Sequence, residues 1–162
     1  MIDTCTVRVH VADYAVATAG TISTIGLGSC VAIILHDPVA KVGGLAHVLL
    51  PAESMSRDRS NPAKFPATVL PILVGEMLSV GAVGNRMRAK IVGGASMFSS
   101  LLPSGGINMG ERNVEATKRV LRLADIPLVA SDTGGEHGRS VYFHVTDGHV
   151  VVKSLKMGER VL

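Results

Sequence analysis

The sequence predicts an α/β layered domain, on three observations. Short β-branched or alternating segments outnumber helical ones. Two other segments carry apolar residues at helical spacing, enough to cover one face of a sheet. And 162 residues, 47% hydrophobic and 18% charged, are enough to bury one substantial core, which predicts a single domain over 1–162. With aromatics at 3% and no Trp, that core has to be built from Val, Leu, Ile, Ala and Met.

Taken in chain order, "CTVRVHVADYAVA" alternates like a strand over Cys5 to Val11, and "TISTIGLGSC" is a short extended piece ending in a glycine turn. "CVAIILH" and "VGGLAHVLL" are apolar, partly β-branched and too short for buried helices, which predicts strands over 30–36 and 41–50. Between them "DPVAK" offers Asp-Pro as a turn initiator. "AESMSRDRSNPAK" reads as an exposed loop. From Pro66 to Val80, residues Val69, Ile72, Leu73, Met77 and Val80 recur at helical spacing, with Pro71 expected to kink the helix. "AKIVGG" is another strand. A second helix is predicted from Gly110 to Ala124, capped by Asn108 and ended before Pro127, with a buried stripe of Val114, Thr117, Val120, Leu121 and Ala124. "LVASD", "RSVYFHV" and "HVVVKSL" read as three strands, the last two joined by Thr146-Asp147-Gly148, a strong hairpin signal.

Composition excludes several functions. A formal charge of +3 without a concentrated basic face argues against nucleic-acid binding. The start of the chain lacks the basic-then-apolar pattern of a secretory signal, and no run of about 18 apolar residues could insert into a membrane. Cys5 and Cys30 have no metal-ligand spacing, so the expectation is a cytoplasmic protein with two reduced thiols, no metal and no cofactor.

Cys30 follows the glycine-bracketed turn Gly26-Leu27-Gly28-Ser29, and His47 lies in the next apolar run. A four-residue hairpin loop, Asp37 to Ala40, would place Cys30 directly opposite His47, with Cβ atoms roughly 4.5–5.5 Å apart on one face. A five-residue loop would put them on opposite faces. A free thiol is mostly protonated at neutral pH, and a neighbouring imidazole that takes its proton makes it a nucleophile. Glycines on the flank let a carbonyl approach and leave amides, those of Gly28, Ser29 and Cys30 among them, as oxyanion donors. Thr24 can orient the imidazole only if Gly26-Leu27-Gly28 reverses the chain, because six extended residues span roughly 20 Å. Two readings stand at this point: ordinary core residues, or a nucleophile, its base and an orienting hydroxyl. Gly93, Gly94 and Ser96 likewise read either as a substrate-facing loop or as a strand ending in a tight turn, with Met97 and Phe98 as core or rim.

"TIGLGSCVAIILHDP", "GGLAHVLLP", "KIVGGASMF", "NMGERNVEA", "SDTGG" and "GRSVYF", in this order from about Tyr14 to Val152, resemble the CheD family of chemotaxis proteins. The resemblance implies a cysteine hydrolase, a protein-glutamine glutaminase that converts glutamine side chains of methyl-accepting chemotaxis receptors to glutamate. It also implies a three-layer sandwich of mostly antiparallel strands with two main helices, like the cytotoxic necrotizing factor deamidases. The family's catalytic Cys, His and Thr fall on Cys30, His47 and Thr24, and some members bind a CheC-type phosphatase. One departure is visible: Phe65 and Ala67 stand where the family often has Tyr and Asp after a Lys.

Overall fold

The computed structural model describes residues 5–97 and 108–162. The first strand-like stretch resolves into two strands, β1 (Thr6–Arg8) and β2 (Asp13–Ala17). β3 (Thr21–Leu27), β4 (Val31–Asp37) and β5 (Val42–Val48) follow. After the polar loop come α1 (Pro66–Ser79), β6 (Arg88–Gly93) and α2 (Met109–Leu123). The chain then forms β7 (Leu128–Thr133), β8 (Arg139–His144), β9 (Val150–Ser154) and β10 (Gly158–Val161), the last not anticipated from sequence.

The strands form two five-stranded mixed sheets. The outer sheet runs β1-β3-β8-β9-β10 and the central one β2-β5-β4-β6-β7. β1 with β3 and β6 with β7 are parallel, and the other described pairings are antiparallel. One core lies between the sheets, where Ala32, Ile34, Leu45 and Val92 meet Ile22, Val141 and Phe143. The other lies between the central sheet and the helices, where Val31, Ile33 and Leu35 meet Val69, Leu73, Met77, Val114 and Leu121. The layers are therefore outer sheet, central sheet and helices. β4 is covered on both faces, which is why its sequence is an unbroken apolar run rather than an alternation.

The β4–β5 hairpin corrects the expected register. Asp37 remains in the strand, paired with Val42, and the four-residue loop is Pro38 to Lys41. The Asp37 carboxylate accepts the N–H groups of Val39 and Ala40, its carbonyl accepts that of Lys41, and Lys41 takes the left-handed turn position at φ 56°. The turn thus begins one residue later than predicted, and Ala32, not Cys30, faces His47. Because paired numbers now sum two higher, side-chain parity is preserved, and Cys30 stays on the His47 face as a diagonal neighbour beyond the ladder's end.

Both helices form close to their predicted limits. α1 continues through Pro71, whose missing N–H leaves the Ala67 carbonyl without its helical donor. Val80 is not part of its buried stripe; it caps the helix and is 47% exposed. At the departure from the family pattern, Phe65 is fully buried at the entry to α1 and Ala67 faces solvent, so that segment serves packing. Asn108 caps α2, its side chain accepting the Glu111 N–H at 3.1 Å. Ala124, expected in the α2 stripe, is exposed as its C-cap, while Asn113 is buried there instead. The Thr146-Asp147-Gly148 turn joins β8 and β9 as expected, with Gly148 N–H donating to the His144 carbonyl.

Candidate active site

His47 is fixed from both sides. β5 lies between β2 and β4, with Asp13 and Ala32 paired to His47 and the Ala12 N–H donating to its carbonyl at 2.8 Å. Its side chain projects into the space between the sheets and is 2% exposed. Opposite, on β3, Thr24 is fully buried. Its Oγ1 is 2.7 Å from the Val9 carbonyl and 2.7 Å from His47 Nδ1.

These two distances fix the tautomer. A carbonyl only accepts, so the single hydroxyl proton of Thr24 goes to Val9, and the contact with His47 must be Nδ1–H donating to Oγ1. Nε2 then carries a lone pair, and it is buried with no hydrogen-bond partner among the described residues.

Thr24 reaches the histidine through the chain reversal expected from sequence: His47 pairs with Ala32, eight residues beyond Thr24, yet its Nδ1 lies 2.7 Å from the Thr24 hydroxyl, so the chain turns back between β3 and β4. β3 and β5 belong to different sheets, and the layering itself sets the two side chains face to face. Where the reversal starts, the β3–β8 register shifts between Thr24 and Leu27, Gly26 takes φ 80°, and Ile25 turns outward at 45% exposure. From this bulge the chain crosses from the outer to the central sheet and delivers Cys30 at the head of β4.

Three successive carbonyls around Cys30 are held. Gly28 O accepts from Ala95 N at 2.8 Å, Ser29 O from Asn113 Nδ2 at 2.9 Å, and Cys30 O from Gly94 N at 2.8 Å. Gly93 ends β6 at φ 116°, and a Cβ there would run into the Cys30 carbonyl, so no larger residue fits without displacing it. Gly93 and Gly94 therefore brace the cysteine from behind. The Gly94 amide is engaged by Cys30 O and is not a free oxyanion donor. Gly94 and Ser96 line a separate cleft of about 240 Å³ with Asn108 and Thr133, and the Ser96 N–H bonds to Gly135 O. Met97 is 46% exposed, as a rim residue would be, and Phe98 lies outside the described residues.

Cys30 and His47 line one cavity of about 440 Å³, bordered by Arg8, His10, Val11, Ile25 and Gly26. Cys30 is 9% exposed. Burial pushes its thiol above the ordinary value, opposed by its own backbone N–H lying near the sulfur. Burial also pushes His47 down to about 4. Both shifts favour the neutral forms, a thiol and a free imidazole.

Two features of this site were not read from the sequence: the Val9 carbonyl that fixes the Thr24 proton, and Asn113. A signal for Asn113 was present, since Asn113, Thr117 and Leu121 recur every four residues along the buried stripe of α2.

Residues 49–154 match the family model described as CheD chemotactic sensory transduction. The chain is 50% identical over 152 residues, 93% of its length and 94% of the relative's, to a probable chemoreceptor glutamine deamidase CheD of Caldanaerobacter subterraneus subsp. tengcongensis. It is 46% identical to a protein of the same name from Pyrococcus horikoshii, and 45% to one from Thermococcus kodakarensis, each over 94% of this chain and 94% or 95% of the relative. The family model matches more than half of the chain and the relatives match nearly all of it: the chain belongs to the CheD family.

Proposed function

We propose that this protein is a chemoreceptor glutamine deamidase, a single-domain cysteine amidohydrolase acting on glutamine side chains of methyl-accepting chemotaxis receptors, with Cys30 as nucleophile, His47 as base and Thr24 as the residue that orients it. One observation carries the reading above the others: the Thr24 hydroxyl, anchored on Val9 O, leaves His47 Nε2 bare in a cavity that Cys30 also lines.

The chemistry follows from that arrangement. As the glutamine carboxamide enters, His47 Nε2 takes the Sγ proton and the sulfur attacks the amide carbon. Because the resting pair is neutral, proton transfer accompanies attack. The Cys30 N–H faces the developing oxyanion, and Thr24 Oγ1 continues to accept Nδ1–H from the imidazolium. His47 then protonates the departing nitrogen, ammonia leaves, and a thioester remains on Cys30. Water deprotonated by His47 attacks the thioester, releasing glutamate and restoring the thiol. A receptor methyl ester reaches the same thioester with methanol as leaving group, so demethylation belongs to the same chemistry.

Val11 at 52% exposure and Ile25 at 45%, beside Arg8 and His10, give the cavity an apolar and cationic rim that suits an amphipathic receptor helix. The fold likeness to the necrotizing factor deamidases is part of the same reading. A second reading rests on the 9% exposure of Cys30, an occluded site: the protein acts mainly as a binding regulator of a CheC-type phosphatase, with little catalysis of its own.

The test is incubation with a receptor cytoplasmic fragment and peptide mass spectrometry for the gain that accompanies carboxamide-to-carboxylate conversion. Conversion by the wild type and none by Cys30→Ala, with Cys5→Ala active, is the expected result. Wild-type rates in Cys30→Ala would remove the mechanism. An inert free protein that binds CheC tightly would favour the regulator.

A further inference from the structure

Asn113 sits on α2, on the opposite side of the central sheet from the cavity, and is fully buried. Its Nδ2 donates to two carbonyls, Ser29 O at 2.9 Å and Leu49 O at 3.1 Å. The β4–β5 ladder ends at Val31 paired with Val48. Ser29 lies two residues before that last rung and Leu49 one residue after it. The Asn113 amide thus stands where the next rung would be and ties the peptide before the cysteine to the strand end that carries the histidine.

The orientation of this amide is not arbitrary. Rotating it by half a turn would set Oδ1 against two carbonyl oxygens, so the two donors must face them. Oδ1 is then left buried with no partner among the described residues. An orphaned acceptor is costly, and an apolar side chain of similar volume would avoid it. Helix–sheet packing alone does not account for an asparagine here.

We infer that Asn113 is a positioning residue for the Cys30–His47 pair: it sets the gap between nucleophile and base and aims the Cys30 N–H at the oxyanion. The inference rests on the assignment of nucleophile and base made above. The peptide unit is planar, with C=O and N–H pointing in opposite directions. Holding Ser29 O toward α2 turns the Cys30 N–H away from the helix, to the side where the sulfur and the cavity lie. The neighbouring carbonyls of Gly28 and Cys30 are held by backbone amides of 95 and 94, so Asn113 supplies the middle of three clamps.

The experiment compares Asn113→Ala and Asn113→Leu with Thr117→Val. Thr117, one turn along the same helix, donates only to Asn113 O within α2 and reports general loosening of the helix. For each folded variant, kcat and KM are measured on a receptor fragment, and the rate of Cys30 alkylation by iodoacetamide is followed against pH. Both Asn113 variants are expected to lose kcat by about 30-fold with KM within about threefold. Their Cys30 alkylation should be slower, with its midpoint at higher pH, while Thr117→Val stays at wild-type values for both readouts. A folded Asn113→Leu with wild-type kcat and alkylation, or a loss matched by Thr117→Val at the same Tm, overturns the inference. Should neither Asn113 variant fold, NMR of the wild type decides. Solvent-protected Asn113 side-chain amide protons, coupled across hydrogen bonds to the Ser29 and Leu49 carbonyl carbons, support the inference, and fast exchange overturns it. Alkylation does not depend on deamidation: Asn113-dependent alkylation in a protein that deamidates nothing would sink the proposed function and leave the positioning role in place.

Discussion

The two ends of the β4–β5 hairpin hold buried polar groups in opposite conditions. At the turn end, Asp37 is fully buried and saturated: it accepts from Val39 N, Ala40 N, Val83 N and the Arg86 guanidinium. These donors hold its carboxyl far below the ordinary range despite burial. At the open end, His47 Nε2 and Asn113 Oδ1 are buried and bare. Every acceptor that holds the turn is matched, whereas the end carrying Cys30 keeps a lone pair uncommitted. The same two strands therefore complete the hydrogen bonds of the buried carboxylate at one end and leave two buried acceptors bare at the other.

The largest separation between the two ends is expected from Thr24. Thr24→Val keeps shape but orphans Nδ1–H and frees the imidazole to change tautomer, so kcat should fall by about 100-fold with little change in Tm. Thr24→Ser restores the hydroxyl and should recover most of that rate. Equal rates in the two variants would leave Cys30 and His47 as a dyad. At the other end Asp37→Asn should do the reverse, lowering unfolding free energy by about 2 kcal/mol while the folded protein keeps its kcat. Chemical denaturation with parallel activity assays separates these outcomes, and a large kcat loss in Asp37→Asn would show that the ends are not independent.

Acid titration gives the finest comparison. The base must be unprotonated, so kcat/KM should hold from about pH 8 down to about pH 5 and fall near pH 4, not near the ordinary imidazole value. The same shift acts on stability. Between 6.5 unfolded and about 4 folded, the unfolded chain holds the extra proton, so stability falls as pH drops through that window. The loss is about 3 kcal/mol. The Asp37 contribution is present above the unfolded carboxyl value of 3.8 and is lost only as pH falls below it. Acid unfolding of the wild type should thus show the histidine limb first, and a His47→Gln variant should show a smaller one, since His36 and His137 are also pushed down by burial. An inflection in rate near 6.5 would mean that the imidazole is solvated.

Much of this arrangement was legible because it depends on local pattern. The unbroken apolar runs of β4 and β5, the Asp-Pro turn and the glycines before Cys30 point to a hairpin bearing a thiol and an imidazole. The error of one residue at Asp37 arose because Val83 and Arg86, 46 and 49 residues away, hold that carboxylate in the strand. β10 escaped notice since all four of its residues are exposed and it carries no inward-facing pattern. Asn113 escaped because its partners lie 84 and 64 residues away and only the folded layers bring them together. The face-to-face meeting of Thr24 and His47 depends on two sheets stacking, which a strand-by-strand reading does not provide.

The placement of β3 has a consequence for the newly made chain. Thr24 sits in a strand flanked by β1 and β8, and β8 emerges from synthesis more than a hundred residues after Thr24 itself. The hairpin bearing Cys30 and His47 can form early, from contacts close in sequence, but β3 has only the three-residue β1 beside it in the outer sheet until residues 139–144 arrive. A nascent chain therefore carries its cysteine and histidine before the layer that holds the Thr24 hydroxyl against the imidazole is complete.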